Sequence, residues 1–137
     1  MNEEFYKVVL VDDDPEDIDI FQEAINEYCP QLQLLTVKDG IQLLELLKSV
    51  YPNLIVLDLH LPKMNGLETL RKIRSYACYD DVPIMIYSGS KTKKEMDECI
   101  KNGADYFAVK SGSKRDIANL ANGICRGIWN KRFSVDY

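Results

Sequence analysis

The sequence predicts a single α/β domain, with a doubly wound, five-stranded parallel sheet covered by helices on both faces. Three observations point there. Short apolar runs alternate with amphipathic stretches five times along 137 residues, and regular strand–helix alternation with short loops builds parallel sheets with right-handed crossovers. The strand candidates are nearly continuous apolar runs, the pattern of strands buried on both faces. The helical stretches carry start and stop signals at the places where the apolar period changes.

The first strand candidate is Tyr6–Val11, rich in valine and followed by acids. Next, DPEDIDIFQEAINEYC places Ile18, Phe21, Ala24, Ile25 and Tyr28 on one helical face. Asp14 is its expected N-cap and Pro15 its first helical residue, while Glu16 and Asp17 suit the positive end of the helix dipole. Leu32–Val37 is the second strand. DGIQLLELLKSV follows as a helix, with Asp39 and Gln42 at capping-box spacing. NLIVLD is the third strand and NGLETLRKIRSY the third helix, with Asn65 and Glu68 again at that spacing. Val82–Ser88 is the fourth strand. TKKEMDECIKNG is the fourth helix, capped by Thr92 and Glu95 and stopped by Gly103. Ala104–Val109 is the fifth strand and SKRDIANLANGICRGIWN the last helix. No internal repeat or linker interrupts the pattern. One domain over 1–129, a short tail over 130–137 and no output domain are expected.

Composition removes several function classes. Hydrophobic residues make up 46% and charged residues 28%, ordinary for a globular chain. The net charge of −5 leaves no surplus of Lys and Arg to displace counterions from a phosphate backbone, so nucleic-acid binding is not expected. No basic-then-apolar leader is visible and no apolar run approaches the ~18–20 residues needed to span a bilayer. Cys29, Cys78, Cys99 and Cys125 lie far apart, with no CxxC pair and no histidine at ligand spacing. They read as reduced packing residues of a cytoplasmic protein with no membrane association.

In an open parallel sheet the ligand site lies beyond the carboxyl ends of the strands. Strand one ends in Asp12, Asp13 and Asp14, strand three in Asp58, strand four in Ser88 with Gly89, and strand five in Lys110. Carboxylates about 5 Å apart repel by roughly 3 kcal/mol at an effective dielectric of 20, so such a cluster calls for protons or a cation. Hard oxygen ligands that leave room for water and phosphate suit Mg²⁺, with Mn²⁺ as a substitute. Helix capping alone would use one acid of the three, and Asp14 is placed for it. Ser88 and Gly89 offer donors to an anion, and Lys110 supplies a fixed positive charge. Donors, metal and lysine converging on one carboxylate describe a site for a phosphoryl group carried by Asp58.

With VLVDDDP, NLIVLDLHLPKMNG, PIMIYSGS and GADYFAVK in this order and spacing, the sequence resembles the receiver domains of two-component response regulators, from Lys7 to about Trp129. The resemblance implies a flavodoxin-like (βα)5 fold with strand order 2-1-3-4-5. It implies Asp58 as phosphoacceptor, Asp13 as direct Mg²⁺ ligand with Asp12 acting through water, and Asp58 with the backbone carbonyl of His60 as further ligands. Ser88 and Lys110 would contact the phosphoryl oxygens, and Phe107 would be the aromatic that rearranges on activation. The phosphoryl group would come from a histidine kinase, a histidine phosphotransfer protein or a small phosphodonor. Output would be a downstream protein bound at the face made by the fourth helix, fifth strand and fifth helix, or a homodimer. The chain would be a signalling module and not an enzyme beyond self-phosphorylation and slow self-dephosphorylation.

Three departures or competitors stand beside this. Ser111 replaces the proline that usually follows the family's lysine, which leaves as alternatives a strained cis Lys110–Ser111 bond or a different loop path that places Lys110 less firmly. His60 and Ser90 flank the route of a water attacking the acyl phosphate. VVLVDDDP also fits the opening of a haloacid-dehalogenase-like phosphatase with Asp12 as nucleophile, although Pro15 and the chain length fit it poorly. A pseudo-receiver that binds partners without phosphorylation is the third reading, motivated by Ser111.

Overall fold

The computed structural model describes residues 6–89, 92–111 and 113–128. Five strands, β1 (Lys7–Val11), β2 (Gln33–Val37), β3 (Leu54–Leu57), β4 (Ile84–Ser88) and β5 (Tyr106–Val109), form one sheet in the order β2-β1-β3-β4-β5. All four pairings are parallel. The helices are α1 (Pro15–Tyr28), α2 (Gly40–Leu46), α3 (Gly66–Arg74), α4 (Lys93–Lys101) and α5 (Lys114–Gly123). The expected fold class and strand order are those observed.

Alternation along the strands splits the core in two. Val8, Leu10, Leu54, Val56, Met85, Tyr87 and Ala108 face α1 and α5, where Phe21, Ile25, Ile117 and Leu120 cover them. Val9, Val11, Ile55, Leu57, Ile84, Ile86 and Phe107 face the other way, beneath Leu43, Leu70, Ile73 and Cys99 of α2, α3 and α4. Burial on both faces is what the unbroken apolar runs required.

The caps follow the sequence closely. Asp14 accepts from the Glu16 N–H, and Asn65 with Glu68 forms a reciprocal capping box. Asp39 accepts from the Gln42 N–H, but the Gln42 side chain accepts from the Lys38 N–H instead of closing the expected box. Helix α2 is also shorter than its apolar pattern predicts. After Leu46 the chain tightens, with the Lys48 N–H on Glu45 O and the Ser49 N–H on Leu46 O, because Pro52 disfavours helix before it and β3 must begin at Leu54. Gly103 stops α4 at φ 106°, a left-handed conformation that suits glycine.

Two local features had no sequence expectation. A 3₁₀ turn spans Ala77–Tyr79, and α5 runs on into a π-turn over Ile124–Ile128. Cys29 and Cys99 are buried packing residues, as expected. Cys78 is exposed in the 3₁₀ turn and Cys125 is half-buried, so the packing reading does not extend to Cys78. Trp129 and the tail over 130–137 lie outside the described residues. Among the described residues, no helix is long and apolar enough to cross a membrane.

Candidate functional site

The sheet carries its polar residues one step past the strand ends while the hydrogen-bond ladder still holds their backbones. The Asp12 N–H donates to Val37 O at 3.0 Å, the Asp58 N–H to Val11 O at 3.1 Å and the Lys110 N–H to Ser88 O at 2.6 Å. Side chains at these positions therefore leave a rigid edge in fixed directions. The loop after β3 folds back tightly, with the Gly66 N–H on Leu59 O at 2.9 Å. A Cβ on Gly66 would stand 2.3 Å from Asp58 O. Only glycine permits α3 to start this close to the acceptor strand.

Asp12, Asp13 and Asp58 each present a carboxylate oxygen within 4.8 Å of the others. Asp12 and Asp58 are buried, 1% and 8% exposed, while Asp13 opens to solvent. Opposite vertices of a Mg²⁺ octahedron are about 4.2 Å apart. Small side-chain rotations therefore suffice, and this all-oxygen donor set fits a hard divalent ion with water completing its shell.

Lys110 reaches the same cluster from β5. Its Nζ lies 2.7 Å from Asp12 Oδ2, 3.1 Å from Asp17 Oδ2 and 3.2 Å from Asp58 Oδ2. The ring of Tyr87 lies beneath the ammonium, 5.2 Å from Nζ to centroid, within cation–π range. Burial works to lower the Lys110 pKa, but the Asp12 hydrogen bond and the charges of Asp58 and Asp12 outweigh it and raise it above the ordinary lysine value. Burial raises the Asp12 pKa, and contact with Lys110 offsets this only in part. Asp58 completes its own contacts by accepting the His60 N–H on Oδ1 at 3.1 Å.

Of the residues expected from the sequence, Asp12, Asp13, Asp58 and Lys110 are thus brought together, with the His60 backbone beside them. Ser88 is fully buried at the end of β4. His60 is exposed beside Asp58. Phe107 is 9% exposed and packs inward in the α3/α4-side core. Ser90, paired with His60 in the sequence reading, lies outside the described residues. All peptide bonds among the described residues are trans, Lys110–Ser111 included, so the loop takes the second of the two paths considered. Ser111 Oγ bonds the Asp116 carboxylate and accepts the Ser113 N–H, tying the loop to the first turn of α5. Lys110 nonetheless keeps its contacts with Asp12, Asp17 and Asp58, so the looser placement expected of that path is not what the structure shows. Both Asp12 oxygens are held, by the Asp14 N–H and by Lys110, as both Asp58 oxygens are by the His60 N–H and by Lys110; exposure separates the two, 1% for Asp12 against 8% for Asp58, which gives Asp58 the more accessible carboxylate.

Two participants escaped the sequence reading. Asp17 reads from the sequence as a helix-dipole acid, yet its carboxylate pairs with the Lys110 ammonium at 3.1 Å. Its signal is position: one turn into a helix that starts at a strand's carboxyl end, a side chain reaches back over that edge. Tyr87 carries no sequence signal beyond its place in the fourth strand, and its buried hydroxyl has no hydrogen-bond partner among the described residues. Burial pushes its pKa up to about 12.

The comparisons agree with this geometry. The family profile described as the response regulator receiver domain matches residues 8–122, and the chain belongs to that family. It is 32% identical over 130 residues to the nitrate/nitrite response regulator protein NarL of Escherichia coli, covering 92% of this chain and 57% of NarL. The rice two-component response regulator ORR5 is 28% identical over 121 residues, covering 87% of this chain and 88% of ORR5. Among solved structures, the phosphorylated cyanobacterial phytochrome response regulator RcpA superposes with a TM-score of 0.85 at 26% identity, covering 98% and 100% of the two chains. The Mn²⁺-bound response regulator Rcp1 gives a TM-score of 0.81 at 24% identity, covering 96% and 99%. Receiver domains of this family are phosphoryl-accepting modules of two-component signalling, serving as signalling elements more than as enzymes.

Proposed function

We propose that this chain is a receiver that accepts a phosphoryl group on Asp58 with Mg²⁺ or Mn²⁺ bound by Asp12, Asp13, Asp58 and the His60 carbonyl. The single observation that carries it is the position of Asp58. One side of its carboxylate adjoins the acid cluster, and the other is 3.2 Å from a lysine already bonded to Asp12. Such a carboxylate meets a transferring group with the ammonium on one side and the acids on the other. Its neighbours are suited to stabilising charge that builds up on a transferring group.

In the transfer, a carboxylate oxygen of Asp58 attacks phosphorus as the phosphorus–nitrogen bond of a kinase or phosphotransfer phosphohistidine breaks. The bonding pair leaves with the imidazole. The divalent ion would neutralise charge on the phosphoryl oxygens. Lys110 then shares its ammonium with a phosphoryl oxygen, and Ser88 approaches another with its hydroxyl. The added charge, near −2, biases a two-state equilibrium of the surrounding loops. Phe107 is the aromatic that reports it. Because phenylalanine lacks a hydroxyl, apolar burial alone sets its inward–outward balance. Output passes through the α4–β5–α5 face to a protein partner or a second copy, in the cytoplasm. RcpA in its phosphorylated form and Rcp1 in its Mn²⁺-bound form are chains of the same fold that carry these groups.

The test is incubation with Mg²⁺ and a small acyl phosphate, read by intact mass and by size-exclusion chromatography. Wild type gains the mass of one phosphoryl group and Asp58→Asn gains none. Equal labelling of both proteins would refute the assignment.

A further inference from the structure

Lys110 carries three ammonium protons, and three carboxylates surround it at 2.7, 3.1 and 3.2 Å. Two of those carboxylates, Asp12 and Asp58, belong to the acid cluster that suits a metal; Asp17 does not. Asp17 instead projects from the first turn of α1, whose backbone is pinned by the Asp14 cap and by the Ile18 N–H on Asp14 O. Its side chain is only 17% exposed. The Tyr87 ring closes the side of the ammonium toward the α1/α5 core. An ammonium on a four-carbon stem is otherwise a rotatable point charge with no directional preference of its own.

We propose that Asp17 is a positioning residue for the acceptor reaction. Asp12 accepts one proton of the Lys110 ammonium and Asp17 faces a second as an ion pair, so that the third is aimed at Asp58. When Asp58 is phosphorylated, that third N–H passes from Asp58 Oδ2 to a phosphoryl oxygen while the other two stay in place. This rests on the reading of Asp58 and Lys110 given above. A lysine that must give up an anchor to reach the phosphoryl group would be slow; one whose third proton is already aimed reacts without reorganising.

The test uses the full chain as wild type, Asp17→Asn and Asp17→Glu, with acetyl phosphate as donor. In that reaction the Asp58–phosphorus bond forms as the donor's phosphorus–oxygen bond breaks and acetate leaves with the electron pair. The rate at saturating Mg²⁺ and donor is expected to fall about 10-fold in Asp17→Asn. Half-saturating concentrations of both should move by less than about threefold, a loss confined to the transition state. Asp17→Glu, which keeps the carboxylate, should recover most of the rate. In ¹⁵N spectra the Lys110 ammonium signal should be sharp in wild type and broadened in Asp17→Asn, with the backbone spectrum otherwise preserved. Wild-type rate in Asp17→Asn overturns the inference while leaving the assignment of Asp58 intact. So does a loss that tracks unfolding and is not recovered by Asp17→Glu. Failure of wild type itself to be phosphorylated would remove both.

Discussion

Two half-buried ion clusters sit at opposite edges of the same sheet, and they are built on opposite principles. At the amino edge of β4 and β5, Arg74 pairs with Asp105 at 3.0 Å and donates to the carbonyls of Gly103, Tyr79 and Val82. Asp105 in turn accepts the Ile84 N–H at 2.9 Å. One cation meets one anion, and the rest of the guanidinium fork is satisfied by backbone, which locks α3, the 3₁₀ turn and β5 together. At the carboxyl edge, one ammonium faces three carboxylates with Asp13 close by. The balanced cluster is finished as it stands. The unbalanced one holds more negative charge than its own lysine compensates, and that excess is what a divalent ion and a transferring group require.

The comparison can be broken most sharply with the two cations. Lys110→Ala should lower the rate of Asp58 phosphorylation by about 10²–10³-fold, the usual cost of deleting one group that stabilises charge in a transition state. Arg74→Ala should leave that rate within about twofold at temperatures below its melting midpoint. Equal losses would show that both clusters serve the chemistry. The next effect runs the other way. Arg74→Ala should cost about 3 kcal/mol of stability, measured by denaturant titration, because Asp105 and three carbonyls lose their donor together. A change below 1 kcal/mol would mean the lower cluster ties nothing down.

A smaller effect sharpens the upper cluster. Tyr87 and Lys110 both have folded-state pKa values raised above their unfolded values of 10.0 and 10.5. The folded chain keeps these protons longer than the unfolded chain does. Their stabilisation is fully present below pH ~10 and is lost as pH rises through the folded values, which for Tyr87 is about 12. The thermal midpoint should therefore drop from pH ~10 upward. Tyr87→Phe should make that drop shallower and should not lower the midpoint at neutral pH, since it removes a buried hydroxyl that has no partner among the described residues. A lower neutral-pH midpoint in Tyr87→Phe would reveal a bond that the structure lacks.

The two clusters were not equally legible in the sequence. The upper one announced itself because parallel-sheet topology sends every strand's last residue to one edge, so Asp12, Asp58, Ser88 and Lys110 could be assembled by counting strands. Even the pair Lys110–Asp12, 98 residues apart, follows from that rule. The Arg74 cluster follows from no such rule. Its acceptors are backbone carbonyls in turns whose paths depend on Gly103 and on the 3₁₀ turn, and backbone groups leave no residue-type signal. Asp17 fell between the two cases: its residue type was visible, but a first-turn acid has a sufficient local explanation in the helix dipole, and only the three-dimensional approach of β5 gives it a second partner. Helix α2 ended early for a related reason, since leucine periodicity continues past the point where Pro52 forces the chain into β3.

The central claim is that the upper cluster's surplus charge is arranged for a divalent ion. Thermal unfolding with and without Mg²⁺, for wild type and Asp13→Asn, tests it most directly. Asp13 is exposed and makes no ion pair with Lys110 among the described residues, so without metal it adds only repulsion. The account predicts that Mg²⁺ at about ten times its dissociation constant raises the wild-type midpoint by a few degrees. It also predicts that Asp13→Asn abolishes the rise while its metal-free midpoint is slightly higher than that of wild type. A wild-type midpoint indifferent to Mg²⁺, or a rise that persists in Asp13→Asn, would contradict it.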